Sequence, residues 1–248
     1  MPDTIRACLF DLDGVLTKTD VVHAAAWQEM FDSYLRQRAT RTDQRFTPFD
    51  LVTDYGRYLD GRPRVAGVRS FLASRAITLP EGGPDDSPDQ SPGTETVHGL
   101  GNRKNALLRR RIAADGVIAY PGSVRYLRAA AAAGLHRAVV SSSANCRAVL
   151  AAAGLDGDFE VIVDAQAAQR EQLRGKPAPD TYLFAASALG AAPGAAAVFE
   201  DAQAGVAAGK AGKFGYVVGI DRIGQADVLR AEGADTVVTD LDELLDGP

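Results

Sequence analysis

Ile5-Arg6-Ala7-Cys8-Leu9-Phe10-Asp11-Leu12-Asp13-Gly14 decides the fold. An apolar-rich run stops abruptly at two carboxylates and a glycine, which reads as a buried strand that delivers acids to its carboxyl end. Outward from it, strand-like runs recur over residues 136–140, 159–163, 196–199, 214–220 and 236–238. Helical stretches over 123–133, 145–153, 180–189 and 202–211 separate most of them. Strands alternating with helices predict parallel βαβ units with right-handed crossovers. The fold class is therefore α/β, an open parallel sheet whose ligands bind beyond the carboxyl ends of its strands.

Residues 19–115 break this rhythm. They hold helical pieces over 21–38, 67–74 and 103–113 and no convincing strand. The expected organisation is an α/β core of residues 1–18 and 116–248 with a helical cap domain of residues 19–115 inserted into it. Within the cap, residues 79–93 are rich in proline, glycine and acid, a composition that predicts a mobile loop.

With 248 residues, 46% of them hydrophobic, the chain can bury a sizeable core plus a smaller domain. A net charge of -5 argues against a nucleic-acid partner, which calls for a basic surplus. Cys8 and Cys146 form no C-x-x-C pattern and are expected as reduced, packed thiols. Asp3 and Arg6 interrupt any N-terminal apolar signal, and the alanine runs are too short to span a bilayer. The expectation is a cytoplasmic protein, a monomer with no membrane partner.

Four short segments carry candidate chemistry. Asp11 and Asp13, at i and i+2 on an extended chain, point to one side about 6.6 Å apart at ~3.3 Å per residue. Such a pair is costly without a cation or a shared proton; read alone it is equally an Asx turn. Ser141-Ser142-Ser143-Ala144-Asn145 follows a strand and opens a helix, which suits an anion. An ordinary N-cap by Ser143 or Asn145 accounts for the same residues. Lys176, next to Pro177, can balance phosphate and carboxylate charge; alone it reads as a solvated surface lysine rather than a site residue. Glu200-Asp201 is a second acidic pair at a strand's end, and hard oxygens at two strand ends suit Mg²⁺.

All four lie at carboxyl ends of strands or in the adjoining loops, so they can converge on one crevice. Phe10 to Thr17, Ser141 to Ser143, Gly175-Lys176-Pro177 and Phe199 to Gly205 resemble the four motifs of the haloacid-dehalogenase-like (HAD) superfamily. The resemblance implies a Rossmann-like core and an aspartyl-phosphate at Asp11. It also implies Mg²⁺ held by Asp11, the Asp13 backbone carbonyl and Asp201, with Glu200 nearby, and Asp13 as acid/base partner. Asp13 disfavours dehalogenation, since dehalogenases of this fold lack that acid. An ordinary aspartic acid is about 0.1% protonated at pH 7, so protonating it costs roughly 4 kcal/mol. A general acid at Asp13 therefore needs desolvation or a bound phosphate to lower that cost.

The cap resembles that of the β-phosphoglucomutase branch. Thr19, His23 and Trp27 match its start, and Gly61 and Arg64 match a segment that meets the distal phosphate. Lys104, in Arg103-Lys104-Asn105, matches a sugar-phosphate contact, and Asn145 a phosphate contact. Without the resemblance, His23 reads as a satisfied helix histidine; Trp27 packs the cap in either reading. The match departs in the Pro/Gly-rich segment and around residues 65–69. The implied activity is isomerisation of a hexose 1-phosphate to the 6-phosphate through a bisphosphate, which needs a metal-bound phosphate site and a cationic one. The rival within the family is a sugar-phosphate phosphatase. A dinucleotide-binding oxidoreductase is disfavoured because Asp-Leu-Asp-Gly stands where G-x-G-x-x-G belongs. A catalytically dead scaffold is disfavoured by the complete acidic set.

Overall fold

The computed structural model describes residues 2–245. Its chain groups into two compact units, one of residues 1–19, 61–63 and 117–248, the other of residues 20–60 and 64–116.

The first unit is built on a six-stranded sheet in the order β3-β2-β1-β4-β5-β6, parallel throughout. Its strands are β1 (Ala7–Phe10), β2 (His136–Val140), β3 (Val161–Val163), β4 (Ala196–Glu200), β5 (Tyr216–Ile220) and β6 (Thr236–Val238). The α/β, Rossmann-like expectation is borne out. β1 is buried along its whole length, as a strand covered on both faces must be, hence its unbroken apolar run. After β1 the order runs outward through β2 and β3, then reverses through β4 to the other side, so β1 and β4 flank the switch point where such sheets bind ligands. The helices of this unit are α5 (Pro121–Ala132), α6 (Cys146–Ala153), α7 (Ala165–Arg170), α8 (Asp180–Ala188), α9 (Gln203–Ala211) and α10 (Ala226–Glu232).

The second unit is helical: α1 (Asp20–Thr42), α2 (Thr53–Tyr58), α3 (Arg64–Ser74) and α4 (Val97–Asp115). Its core is aromatic. Phe31 stacks on Trp27 at 5.4 Å and on Phe49 at 5.6 Å between centroids, and Phe71 closes the group. Rings of this size remove large apolar areas from water and add edge and stacking terms.

Several boundaries differ from the sequence reading. α4 begins at Val97, not residue 103. Two glycines make Val97–Gly101 a poor helix former, but Thr96 caps it by accepting from the Gly99 N–H. β3 starts at Val161 and β5 at Tyr216, two residues late in each case. In the second, a Cβ on Gly215 would lie 2.2 Å from the Gly194 carbonyl, so two chains pass too closely there for regular pairing. Residues 79–93 carry no helix or strand, yet they are tied down. Arg103 donates to the carbonyls of Pro88 and Gln90, and Asn102 to those of Pro84 and Asp86. Composition predicted mobility; side chains of α4 supply the partners the loop's own backbone lacks.

Candidate active site

Register places the chemistry. Phe10 of β1 pairs with Phe199 of β4, and their stacked rings, 4.6 Å apart, fill the space below the strand ends. One residue further on, Asp11 and Glu200 come side by side, with the Asp11 N–H still donating to the Phe199 carbonyl at 2.9 Å. Two buried acids at adjacent strand ends demand a cation, and Lys176 supplies it. Its Nζ lies 2.5 Å from Asp11 Oδ1 and 2.5 Å from Glu200 Oε1, and donates to the Val140 carbonyl at 3.0 Å. Lys176 is 3% exposed, so it is no surface lysine. Burial alone would pull its ammonium down, but the Asp11 and Glu200 carboxylates more than offset this and hold it above the ordinary lysine range. For Asp11 burial wins: it raises the carboxyl well above the usual value, against the pull of Lys176.

Oxygens of Asp11, Glu200 and Asp201 lie within 4.8 Å of one another, and all three residues are buried. Three carboxylates with one ammonium leave a surplus of negative charge. At ~4 Å and an effective dielectric near 20, a like-charged pair costs about 4 kcal/mol. A hard divalent cation would remove that cost, and an all-oxygen donor set suits one. Gly14, at φ +85°, lies where a Cβ would sit 1.8 Å from Asp201 Oδ2, so the missing side chain lets the Asp201 carboxylate lie against this turn. These residues fit a divalent ion.

Asp13 does not join the three. The chain leaves extended geometry after Asp11, with the N–H groups of both Leu16 and Thr17 donating to the Leu12 carbonyl. Asp13 stays close enough to Asp11 for its charge to push that carboxyl up, but it is not part of the three-carboxylate group. Instead the Asp13 Oδ1 accepts from the Thr19 hydroxyl, which is itself 2.8 Å from the Thr17 hydroxyl.

The serine segment forms a ladder of local bonds. The Ser143 N–H donates to Ser141 Oγ at 3.1 Å, the Asn145 N–H to Ser143 Oγ at 3.1 Å, and Ser142 Oγ to the Gly61 carbonyl at 2.8 Å. Asn145 is the N-cap residue of α6 but makes no side-chain capping bond, contrary to one of the two cap readings. Because Ser141 Oγ accepts from a backbone N–H, its own proton remains to be donated elsewhere.

In the second unit, Lys104 Nζ lies 3.1 Å from His23 Nδ1 and 4.8 Å from the centre of the Trp27 ring. Lys104 and Trp27 are 3% and 4% exposed and His23 is half-buried where α1 meets α4. Arg64 Nη2 donates to Asn102 Oδ1 at 3.2 Å, while its buried Nε has no hydrogen-bond partner among the described residues.

Sequence reasoning overlooked Tyr182, whose hydroxyl donates to Glu200 Oε1 at 2.7 Å. A tyrosine in the first turn of a helix carries no local signal of such a role. Its burial, and the Glu200 charge beside it, hold the phenol well above its ordinary range and so keep it a neutral donor.

A family model described as a haloacid dehalogenase-like hydrolase matches residues 5–213. The chain belongs to the haloacid dehalogenase-like family. This family member is 57% identical over 249 residues to a β-phosphoglucomutase of Mycobacterium tuberculosis, covering 99% of this chain and 93% of that one. A crystal structure of a β-phosphoglucomutase from Clostridium difficile shares the fold at TM-score 0.72 and 24% identity, covering 97% of this chain and 93% of that one. A HAD family hydrolase from Deinococcus radiodurans, crystallised with bound phosphate and sodium, is 32% identical at TM-score 0.63 and covers 98% of this chain and 94% of that one. No described helix is long and apolar enough to cross a membrane.

Proposed function

We propose that this protein is a β-phosphoglucomutase, converting β-D-glucose 1-phosphate to glucose 6-phosphate through the 1,6-bisphosphate. The observation that carries it is the buried Asp11–Lys176–Glu200 group beside Asp201, in a chain 57% identical to a β-phosphoglucomutase.

Asp11 is the nucleophile. A carboxylate oxygen attacks phosphorus, the P–O bond to the sugar breaks, and the phosphoryl group moves to Asp11 as an aspartyl-phosphate. The Lys176 ammonium pairs with the Asp11 carboxylate, opposing the upward push of burial, and faces the charge that the phosphoryl oxygens bring. Asp13 gives a proton to the departing sugar oxygen, and later takes one from the sugar hydroxyl that attacks the aspartyl-phosphate. The Thr19 hydroxyl orients its carboxyl. Ser141 donates its hydroxyl proton to a phosphoryl oxygen, with Ser142, Ser143 and Asn145 around the same group. Glu200, bonded to Lys176 and Tyr182, holds the ammonium in place. Asp11, the Asp13 carbonyl, Glu200 and Asp201 form the site for Mg²⁺, which when bound neutralises phosphoryl charge. Arg64 and Lys104, with His23, Trp27 and Gly61, serve the sugar and its second phosphate.

The test is incubation with Mg²⁺, β-glucose 1-phosphate and a trace of glucose 1,6-bisphosphate, with glucose 6-phosphate and free phosphate followed together. Bisphosphate-dependent glucose 6-phosphate with little phosphate release is expected. Stoichiometric phosphate release would make the enzyme a phosphatase, and neither product would end the proposal.

A further inference from the structure

Beyond β5 the chain turns tightly around Asp221. Its Oδ1 accepts from the N–H groups of Ile223, Gly224 and Gln225 at 3.2, 2.7 and 2.7 Å, and its Oδ2 from that of Ala226 at 3.1 Å. A carboxylate that accepts several backbone N–H groups fixes a turn. Two side chains leave this turn for the backbone of the acidic site. Arg222 Nε donates to the Gly14 carbonyl at 2.8 Å, and Gln225 Nε2 donates to the Asp201 carbonyl at 2.9 Å. Gly14 and Asp201 already touch, since a Cβ on Gly14 would overlap the Asp201 carboxylate.

Arg222 is anchored on its far side too. Its guanidinium lies 3.6 Å from the Tyr120 ring centre, and its Nη1 donates to the Thr239 carbonyl and faces Asp240. The Tyr120 N–H in turn donates to the Leu16 carbonyl at 2.9 Å. A planar fork that stacks and bonds at once is what arginine supplies and lysine does not.

We infer that Arg222 and Gln225 are positioning residues: the Asp221–Gln225 turn fixes the Asp13–Gly14 backbone against Asp201 and so sets the affinity of the site for its divalent cation. The inference rests on the metal-dependent reading above. Both residues hold main-chain carbonyls of metal-site segments, and outer partners of this kind typically change metal affinity 10–100-fold when removed. A turn that merely secured β5 to α10 would change folding stability instead.

The experiment titrates Mn²⁺ by electron paramagnetic resonance into wild type, Arg222→Lys and Gln225→Met, with Asp201→Asn as a reference for a lost ligand. Thermal unfolding, the Mg²⁺ activation constant and the sugar-phosphate KM at saturating Mg²⁺ are measured alongside. Both variants are expected to weaken Mn²⁺ binding and raise the Mg²⁺ activation constant about 10-fold or more, with KM unchanged. If Arg222→Lys does not fold, Gln225→Met carries the same test alone. Wild-type-like Mn²⁺ affinity in Gln225→Met would overturn the inference while leaving the metal site intact. Absence of Mn²⁺ binding to wild type itself would overturn both the inference and the reading beneath it.

Discussion

The Lys176 ammonium lies 2.5 Å from the Asp11 carboxylate, both of them buried at the end of β1. Removing one partner of a buried ion pair strands the other, a loss of about 3–5 kcal/mol. Lys176→Met is therefore expected to lower urea-unfolding stability by that order and to abolish turnover. Adding Asp11→Asn to Lys176→Met should restore part of the stability, because it removes one stranded charge, while activity stays absent. Equal stability of Lys176→Met and wild type would show that the ammonium does not compensate the acids.

Gly205 lies against Glu200: a Cβ there would sit 1.8 Å from Glu200 Oε1, and Glu200 is fully buried. Neither side can yield, since the Glu200 carboxylate is fixed by Lys176 and Tyr182. Gly205→Ala is expected to cost about 1–3 kcal/mol through overpacking and to lower activity by displacing Lys176. Gly194→Ala meets nothing within 4 Å and should be near neutral. Denaturant unfolding of the two variants checks the contrast, and comparable losses would refute the steric account.

Both cysteines are free and buried, and burial pushes the Cys8 thiol up to about 12 and Cys146 higher still. An unfolded chain releases these protons near pH 8.5, whereas the folded protein keeps them. The unfolded state therefore binds fewer protons above that pH, and stability must fall as pH rises from there toward 12. By pH 10 the loss is about 1–2 kcal/mol per thiol. Urea midpoints at pH 8 and 10 should diverge more for wild type than for a Cys8→Ala/Cys146→Ala variant. Parallel pH slopes in the two proteins would contradict the assignment.

How much of this was legible in the sequence follows from how local each signal is. β1 and its acids were plain because apolar continuity and an abrupt Asp-Leu-Asp-Gly stop are both short-range features. Asp11, Lys176, Glu200 and Asp201 are brought together in the structure because each sits at a strand end or in an adjoining loop. Asp13 acts on Asp11 as its spacing suggests, but the turn on the Leu12 carbonyl and the Thr19 hydroxyl that hold it follow from no spacing rule. Tyr182, Arg222 and Gln225 were invisible for a different reason. Their partners lie 18, 208 and 24 residues away, and only the assembled sheet makes them neighbours. The loop at residues 79–93 was misjudged because composition describes its own backbone and not the side chains of α4 that hold it.

That loop bears on substrate binding through Asn102. The Asn102 amide donates to the carbonyls of Pro84 and Asp86 at 2.9 Å each, which turns its Oδ1 toward Arg64 Nη2 at 3.2 Å. Burial depresses the Arg64 guanidinium from its ordinary range, and its Nε is left without a hydrogen bond among the described residues. A desolvated, partly satisfied guanidinium gains more from an incoming phosphate than a hydrated one, and it can take two phosphate oxygens at once. Arg64→Ala is expected to raise the KM for the sugar phosphate by about 10–100-fold, at roughly 1.4 kcal/mol per decade. Arg64→Lys should recover little, because a point charge lacks the fork. Asn102→Ala should raise KM by a smaller factor, with kcat near wild type, since it frees Arg64 to turn without removing it. Steady-state kinetics of the three variants check this order, and an unchanged KM in Arg64→Ala would remove Arg64 from the substrate site.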